Sequence, residues 1–136
     1  MDPAPCVPAT DYLATVTFDP QSLYLSSNGN TVTMYASIAG KDMRTVTGSS
    51  IRIDRVAGED PANPSEPRCT VDLAATAYTA TASRGTVKLD RQKLIGFLTC
   101  MGMTHRTVEL RIVGGASASG SLPAWTFTGI AYSNVK

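Results

Sequence analysis

Apolar and polar residues alternate along this chain with a period of two, most regularly between Thr15 and Gly40. Successive side chains of a β-strand point to opposite faces of its sheet, so this alternation marks strands with one face in a core and one in water. It turns Val16 and Phe18 inward, then Leu23 and Leu25, then Val32, Met34, Ala36 and Ile38. The pattern breaks at Asp19-Pro20 and Asn28-Gly29. An Asn-Gly pair supplies the positive φ angles of a tight hairpin turn, which predicts that the strand ending at Leu25 folds back onto one beginning near Thr31.

Downstream the alternation returns in shorter runs. Residues 40–50 are polar and glycine-bounded, and the next run turns Ile51 and Ile53 inward. Residues 57–67 hold three prolines and three acids, which suits an exposed connection without a core role. From Cys69 the pattern resumes with Val71 and Leu73 inward, and after Arg84-Gly85 come Val87 and Leu89. Leu94, Ile95 and Leu98 fall at helical spacing, which predicts a short helix weakened by Gly96. Val108, Leu110 and Ile112 share a strand face, residues 114–121 read as a flexible loop, and Trp125 and Phe127 open the last strand. Gly129 within that strand marks a bulge or a close approach.

Seven or eight short strands and one short helix predict a sandwich of two antiparallel sheets, with a closed barrel as the alternative. Residues 1–12, with Pro3, Pro5 and Pro8 around Cys6, read as an extended tail, and residues 13–136 as a single β-sandwich domain.

Residues Asp19, Pro20, Ser22, Leu23, Leu25, Ser27, Gly29, Val32, Thr33 and Tyr35 follow a recurrent order of Asp-Pro-x-Ser-Leu-x-Leu, a glycine turn, and Val-Thr-x-Tyr. This stretch resembles the opening of small immunoglobulin-like modules of bacterial and archaeal extracellular proteins. Residues 87–98 are similar to the same modules' strand, Asp-Arg pair and short helix, and Phe127 and Gly129 to their last strand, although Ala131 stands where an acid is expected. The resemblance covers most of residues 15–135 and rests on structural signatures. It implies an immunoglobulin-like fold and a non-catalytic module that spaces or presents something at a cell surface.

Charge and chemistry sharpen this only by exclusion. Twelve basic and eleven acidic residues give a net charge of +1, which leaves no electrostatic footprint for nucleic acid. No apolar run is long enough for a membrane helix, so the chain is expected not to insert into a bilayer. His105 is the only histidine, so paired-histidine metal sites are excluded. Asp54, Glu59 and Asp60 lack the regular ligand spacing of a calcium loop and read as solvated acids. The serines near Gly115–Gly120 lack the Gly-x-Ser-x-Gly spacing of a hydrolase nucleophile. Neither a metal nor a cofactor is expected, and no catalytic residue is assigned.

Aromatic residues are the better lead. Tyr12, Tyr24, Tyr35, Tyr78 and Tyr132 fall mostly on polar strand faces, and exposed aromatics can stack on sugar rings or fill a protein interface. Tyr24 and Tyr35, on the two strands of the predicted hairpin, are the candidates for one shared platform. Isolated outward tyrosines also stabilise cross-strand pairs, which is the plainer reading.

Three cysteines suit one internal bridge plus one thiol that is free or paired between chains, as in an oxidising compartment. Cys69 and Cys100 both fall near strand starts at the rim of the sandwich and are the expected pair, with Cys6 in the tail suited to anchoring; pairing of Cys6 with either stays open, as do three thiols in a reducing cytosol. The sequence therefore points to a secreted or cell-surface structural module whose partner is another protein of a surface assembly, such as a pilus-like filament. The alternative is a carbohydrate-binding module that holds a polysaccharide on its tyrosines.

Overall fold

Alternation of buried and exposed residues is longest in two strands, β7 (Arg106–Ala116) and β8 (Trp125–Val135), which pair antiparallel without a register break from Arg106↔Val135 to Ala116↔Trp125. The computed structural model describes residues 11–118 and 120–136. Six further strands precede this pair: β1 (Asp11–Asp19), β2 (Ser22–Leu23), β3 (Thr31–Ser37), β4 (Thr47–Val56), β5 (Ala77–Ala80) and β6 (Gly85–Asp90). One helix, α1 (Arg91–Cys100), joins β6 to β7. The protein is all-β and sandwich-like, with seven strands in the order β4-β7-β8-β1-β3-β6-β5 and β2 added beside β8.

β1 holds the two halves together. Its first part, Asp11–Thr15, runs parallel to Thr126–Ile130 of β8, and its second part, Thr15–Asp19, runs antiparallel to Thr33–Ser37 of β3. One strand thus leaves β4-β7-β8 and enters β3-β6-β5. The inner faces share a single core that includes Phe18, Leu23, Met34, Ile51, Leu89, Ile112 and Phe127. The outermost strands also meet. Arg52 of β4 forms an isolated bridge with Ala74, and a Cβ on Gly48 would lie 2.9 Å from the Tyr78 Cβ of β5, so only glycine lets these edges approach so closely.

The inward residues of the cleanest runs are buried as their spacing predicts, from Val16 and Phe18 through Val32, Met34, Ala36 and Ile38 to Val108, Leu110 and Ile112. Helix α1 starts at Asp90, whose carboxylate accepts a hydrogen bond from the Lys93 N–H at 3.0 Å. That N-cap satisfies one of the free donors of the first turn. Leu94, Ile95, Phe97 and Leu98 pack into the core, which offsets the helix-weakening Gly96.

Several expectations fail for identifiable reasons. The hairpin across Asn28-Gly29 does not form. β2 is two residues long and lies parallel to the end of β8, with Ser22↔Asn134 and Leu23↔Val135, and the Leu25 N–H donates to the Lys136 carbonyl at 2.8 Å. Neither Asn28 nor Gly29 has a positive φ. The loop before β3 is instead pinned by helix α1, whose Gln92 side-chain amide donates to the carbonyls of Ser27 and Gly29 at 3.0 and 2.9 Å. β3 takes β1 as its partner.

Two pairings, β1 with β8 and β2 with β8, are parallel, so the sheets are not wholly antiparallel. Asp11 and Tyr12, placed in the tail, belong to β1, and residues 1–10 with Cys6 lie outside the described residues. Gly114, Gly115 and Ala116, read as flexible loop, complete β7, because the β8 ladder continues past them. A Cβ on Gly114 would sit 2.8 Å from the Phe127 ring, so the missing side chain makes room for the core.

No strand starts at Cys69. The chain makes a 3-10 turn over Pro67–Cys69 and reaches β5 only at Ala77, leaving Leu73 buried and Val71 half-buried without a ladder. Two segments read as polar connections also reach the interior: Met43 and Val46 from residues 40–50, and Pro61 and Pro64 from the acidic loop.

Candidate functional site

At the end of the sandwich where β1 and β8 begin, the inward alternation outlasts the closed core. Tyr12 continues the series Ala14, Val16, Phe18 on β1, and Trp125 continues Phe127 and Gly129 on β8. The parallel register sets Tyr12 opposite Phe127, one alternation from Trp125. With fewer core residues above them, the two rings pack on each other edge to face, 5.7 Å between centroids and 89° between planes. Phe127 backs the indole at 6.4 Å.

A lysine occupies the corner these rings make. The turn after β3 closes by a hydrogen bond from the Lys41 N–H to the Ile38 carbonyl at 3.1 Å, with Gly40 at φ +77°. Lys41 is thereby directed over both rings, its Nζ 4.4 Å from the Tyr12 centroid and 5.1 Å from that of Trp125. Both distances are within the range of a cation–π contact.

A separate cleft of about 500 Å³ runs along β7 and β8, lined among others by Asp11, Thr47, Ser50, Gly115 and Trp125 and by neither Tyr12 nor Lys41. Asp11 accepts a hydrogen bond from the Thr126 hydroxyl at 2.8 Å. Ser50 bridges the place where β4 bulges away from β7: its Oγ accepts from the Gly115 N–H at 2.9 Å and donates to the Thr47 carbonyl at 2.6 Å. The hydroxyl thus replaces the backbone partner that the bulge removes.

Cys69 and Cys100 form a disulfide with their Cα atoms 5.7 Å apart, tying the end of α1 to the turn after the acidic loop. Tyr24 and Tyr35 are not brought onto one hairpin. Tyr24 follows β2 at the far end of β8 and is 54 % exposed, whereas Tyr35 lies between Thr17 and Thr86 in the other half. The Arg84 guanidinium lies over the Tyr35 ring at 4.6 Å, so that ring face is already covered. Tyr78 turns toward the interior and its hydroxyl donates to the Met43 carbonyl at 2.7 Å, while burial pushes its phenol above the ordinary value.

The three acids weighed as a cation site turn to three different partners. Asp54 makes a two-point pair with Arg111, Glu59 accepts from Ser65, and Asp60 caps the Ala62 N–H. His105 is exposed in the turn before β7 with φ 56°. Among the described residues, no helix is long and apolar enough to cross a membrane.

Sequence reasoning missed the corner because it assigned Tyr12 to the tail and gave Lys41 no role. The signal for Tyr12 was present: Tyr12-Ala14-Val16-Phe18 is one unbroken alternation. Nothing local connects Lys41 to Trp125, which lies 84 positions further along the chain. No protein-family model matches the chain, and no curated protein sequence matches it.

Proposed function

We propose that this chain is a non-catalytic structural or interaction module of an extracellular assembly, with another protein of that assembly, such as a pilus-like filament, as its partner. The observation that carries the reading is the Cys69–Cys100 bridge. Disulfides persist in oxidising compartments and are rare where thiols are kept reduced. This one secures a loop outside the strand ladders, which suits a module that must keep its shape without the protection of a cell.

Exposed apolar side chains supply contact surface. Leu13 on β1 is 80 % exposed and Leu122 is 68 % exposed. The polysaccharide alternative loses its original support, since Tyr24, which follows β2, and Tyr35, on β3, do not share a hairpin.

Peptide mapping of protein from its native source, alkylated before any reductant, tests the reading. A linked peptide containing Cys69 and Cys100 is expected. Freely alkylated thiols at both positions would overturn the extracellular assignment.

A further inference from the structure

We infer that the corner between Tyr12 and Trp125 is a binding site for a quaternary ammonium group, occupied in this structure by the chain's own Lys41. Two rings at 89° form two walls that offer π-electron density to one point, and an ammonium nitrogen already sits there, 4.4 and 5.1 Å from the two centroids. The lysine therefore stands in for the cationic end of a ligand.

Lys41 is a displaceable occupant. Its ammonium makes no ion pair among the described residues, and it follows a glycine turn at φ +77°. Leaving the corner costs it one exposed cation–π contact, only part of which is returned by water, although a primary ammonium is strongly hydrated. A quaternary ammonium has no N–H groups to desolvate and lays methyl groups on both rings. That difference favours the quaternary group over the lysine of a partner protein, which would gain nothing over Lys41.

Trp125 is the only tryptophan and reports directly on the corner. The full chain is titrated with tetramethylammonium chloride, with sodium chloride at equal ionic strength as control, while indole fluorescence is followed. A saturable change is expected with the former alone. Lys41→Ala should tighten the midpoint about two- to fivefold, the worth of the displaced contact. Tyr12→Leu, if its thermal melt stays cooperative, should lose saturation. Absence of a saturable response in both wild type and Lys41→Ala overturns the proposal, as does an unchanged midpoint in Lys41→Ala or wild-type binding by Tyr12→Leu. Choline in solution and phosphatidylcholine vesicles, against phosphatidylglycerol vesicles, then separate a free solute from a lipid headgroup: saturation by choline identifies the former, and co-sedimentation with phosphatidylcholine alone the latter.

Discussion

Gly129 shows how narrowly one residue governs the junction of the two halves. It faces Ala14 across the parallel β1–β8 pairing, and a Cβ there would lie 2.2 Å from Val16 Cγ2 and 3.3 Å from the Ala14 carbonyl oxygen. Its backbone is ordinary, so lack of space is the reason for glycine. Gly129→Ala should therefore destabilise the fold by about 1–3 kcal/mol, the usual cost of overpacking a core. Urea unfolding should show a lower midpoint with an unchanged slope, and Val16→Ala in the same chain should recover part of the loss. Asp42 offers a second test. Hydrogen bonds from the Arg44 guanidinium and then from the Arg44 N–H hold its carboxyl down at about 2, against an ordinary 3.8. A group whose folded value is depressed adds stability that is complete above the unfolded value and is lost as pH falls through the folded one. The difference in melting temperature between wild type and Asp42→Asn should therefore be largest above pH 3.8 and shrink toward pH 2. A difference that stays constant over that range would show that the carboxylate's charge is not what stabilises the turn at Met43.

Helix α1 and the acidic loop depend on each other through the disulfide. The loop has its own local restraints, including the Val56–Glu59 bridge, the Glu59–Ser65 hydrogen bonds and a bond from the Val71 N–H to the Pro61 carbonyl at 2.9 Å. None of these joins it to the helix, whereas Cys69–Cys100 does so across 31 positions. Closing a loop of that length is worth about 3–4 kcal/mol in the chain-entropy description. The Cys69→Ser, Cys100→Ser double variant should lose stability of that order in denaturant titrations, and dithiothreitol should bring the wild type to the same level. Limited proteolysis should cut residues 57–67 in the double variant well before the bridged protein is cleaved.

The molecule as a whole has a single strand path that β1 carries from one half to the other and a single buried cluster drawing on both halves. Neither half can bury its inner face without the other. Unfolding should accordingly be one cooperative transition, with far-UV circular dichroism and Trp125 fluorescence giving the same midpoint. Separate midpoints would mean that the β3-β6-β5 half persists after the corner at Trp125 has opened.

Which residues face the core was largely legible in the sequence, because alternation is a local property of each strand. Val16, Phe18, Val32, Met34, Leu110 and Ile112 could be turned inward without any partner being known, and Leu94, Ile95 and Leu98 carried the spacing of α1. Cys69 and Cys100 are the expected pair among three connectivities that the sequence leaves open, and they are bridged although Cys69 sits in a 3-10 turn and starts no strand. Which strand lies beside which was not legible, because ladder hydrogen bonds are made by backbone groups that every sequence shares. Asn28-Gly29 carried a strong local turn signal, yet the two residues of β2 found their partners at Asn134 and Val135, more than a hundred positions away. Distances along the chain of that order also separate Tyr12 from Trp125. Sequence by itself determined the all-β class, the inward set and the helix. Tertiary structure alone decided the parallel pairings, the passage of β1 between the halves, and the meeting of Tyr12, Lys41 and Trp125, since each depends on contacts whose members carry no mark of one another in the chain.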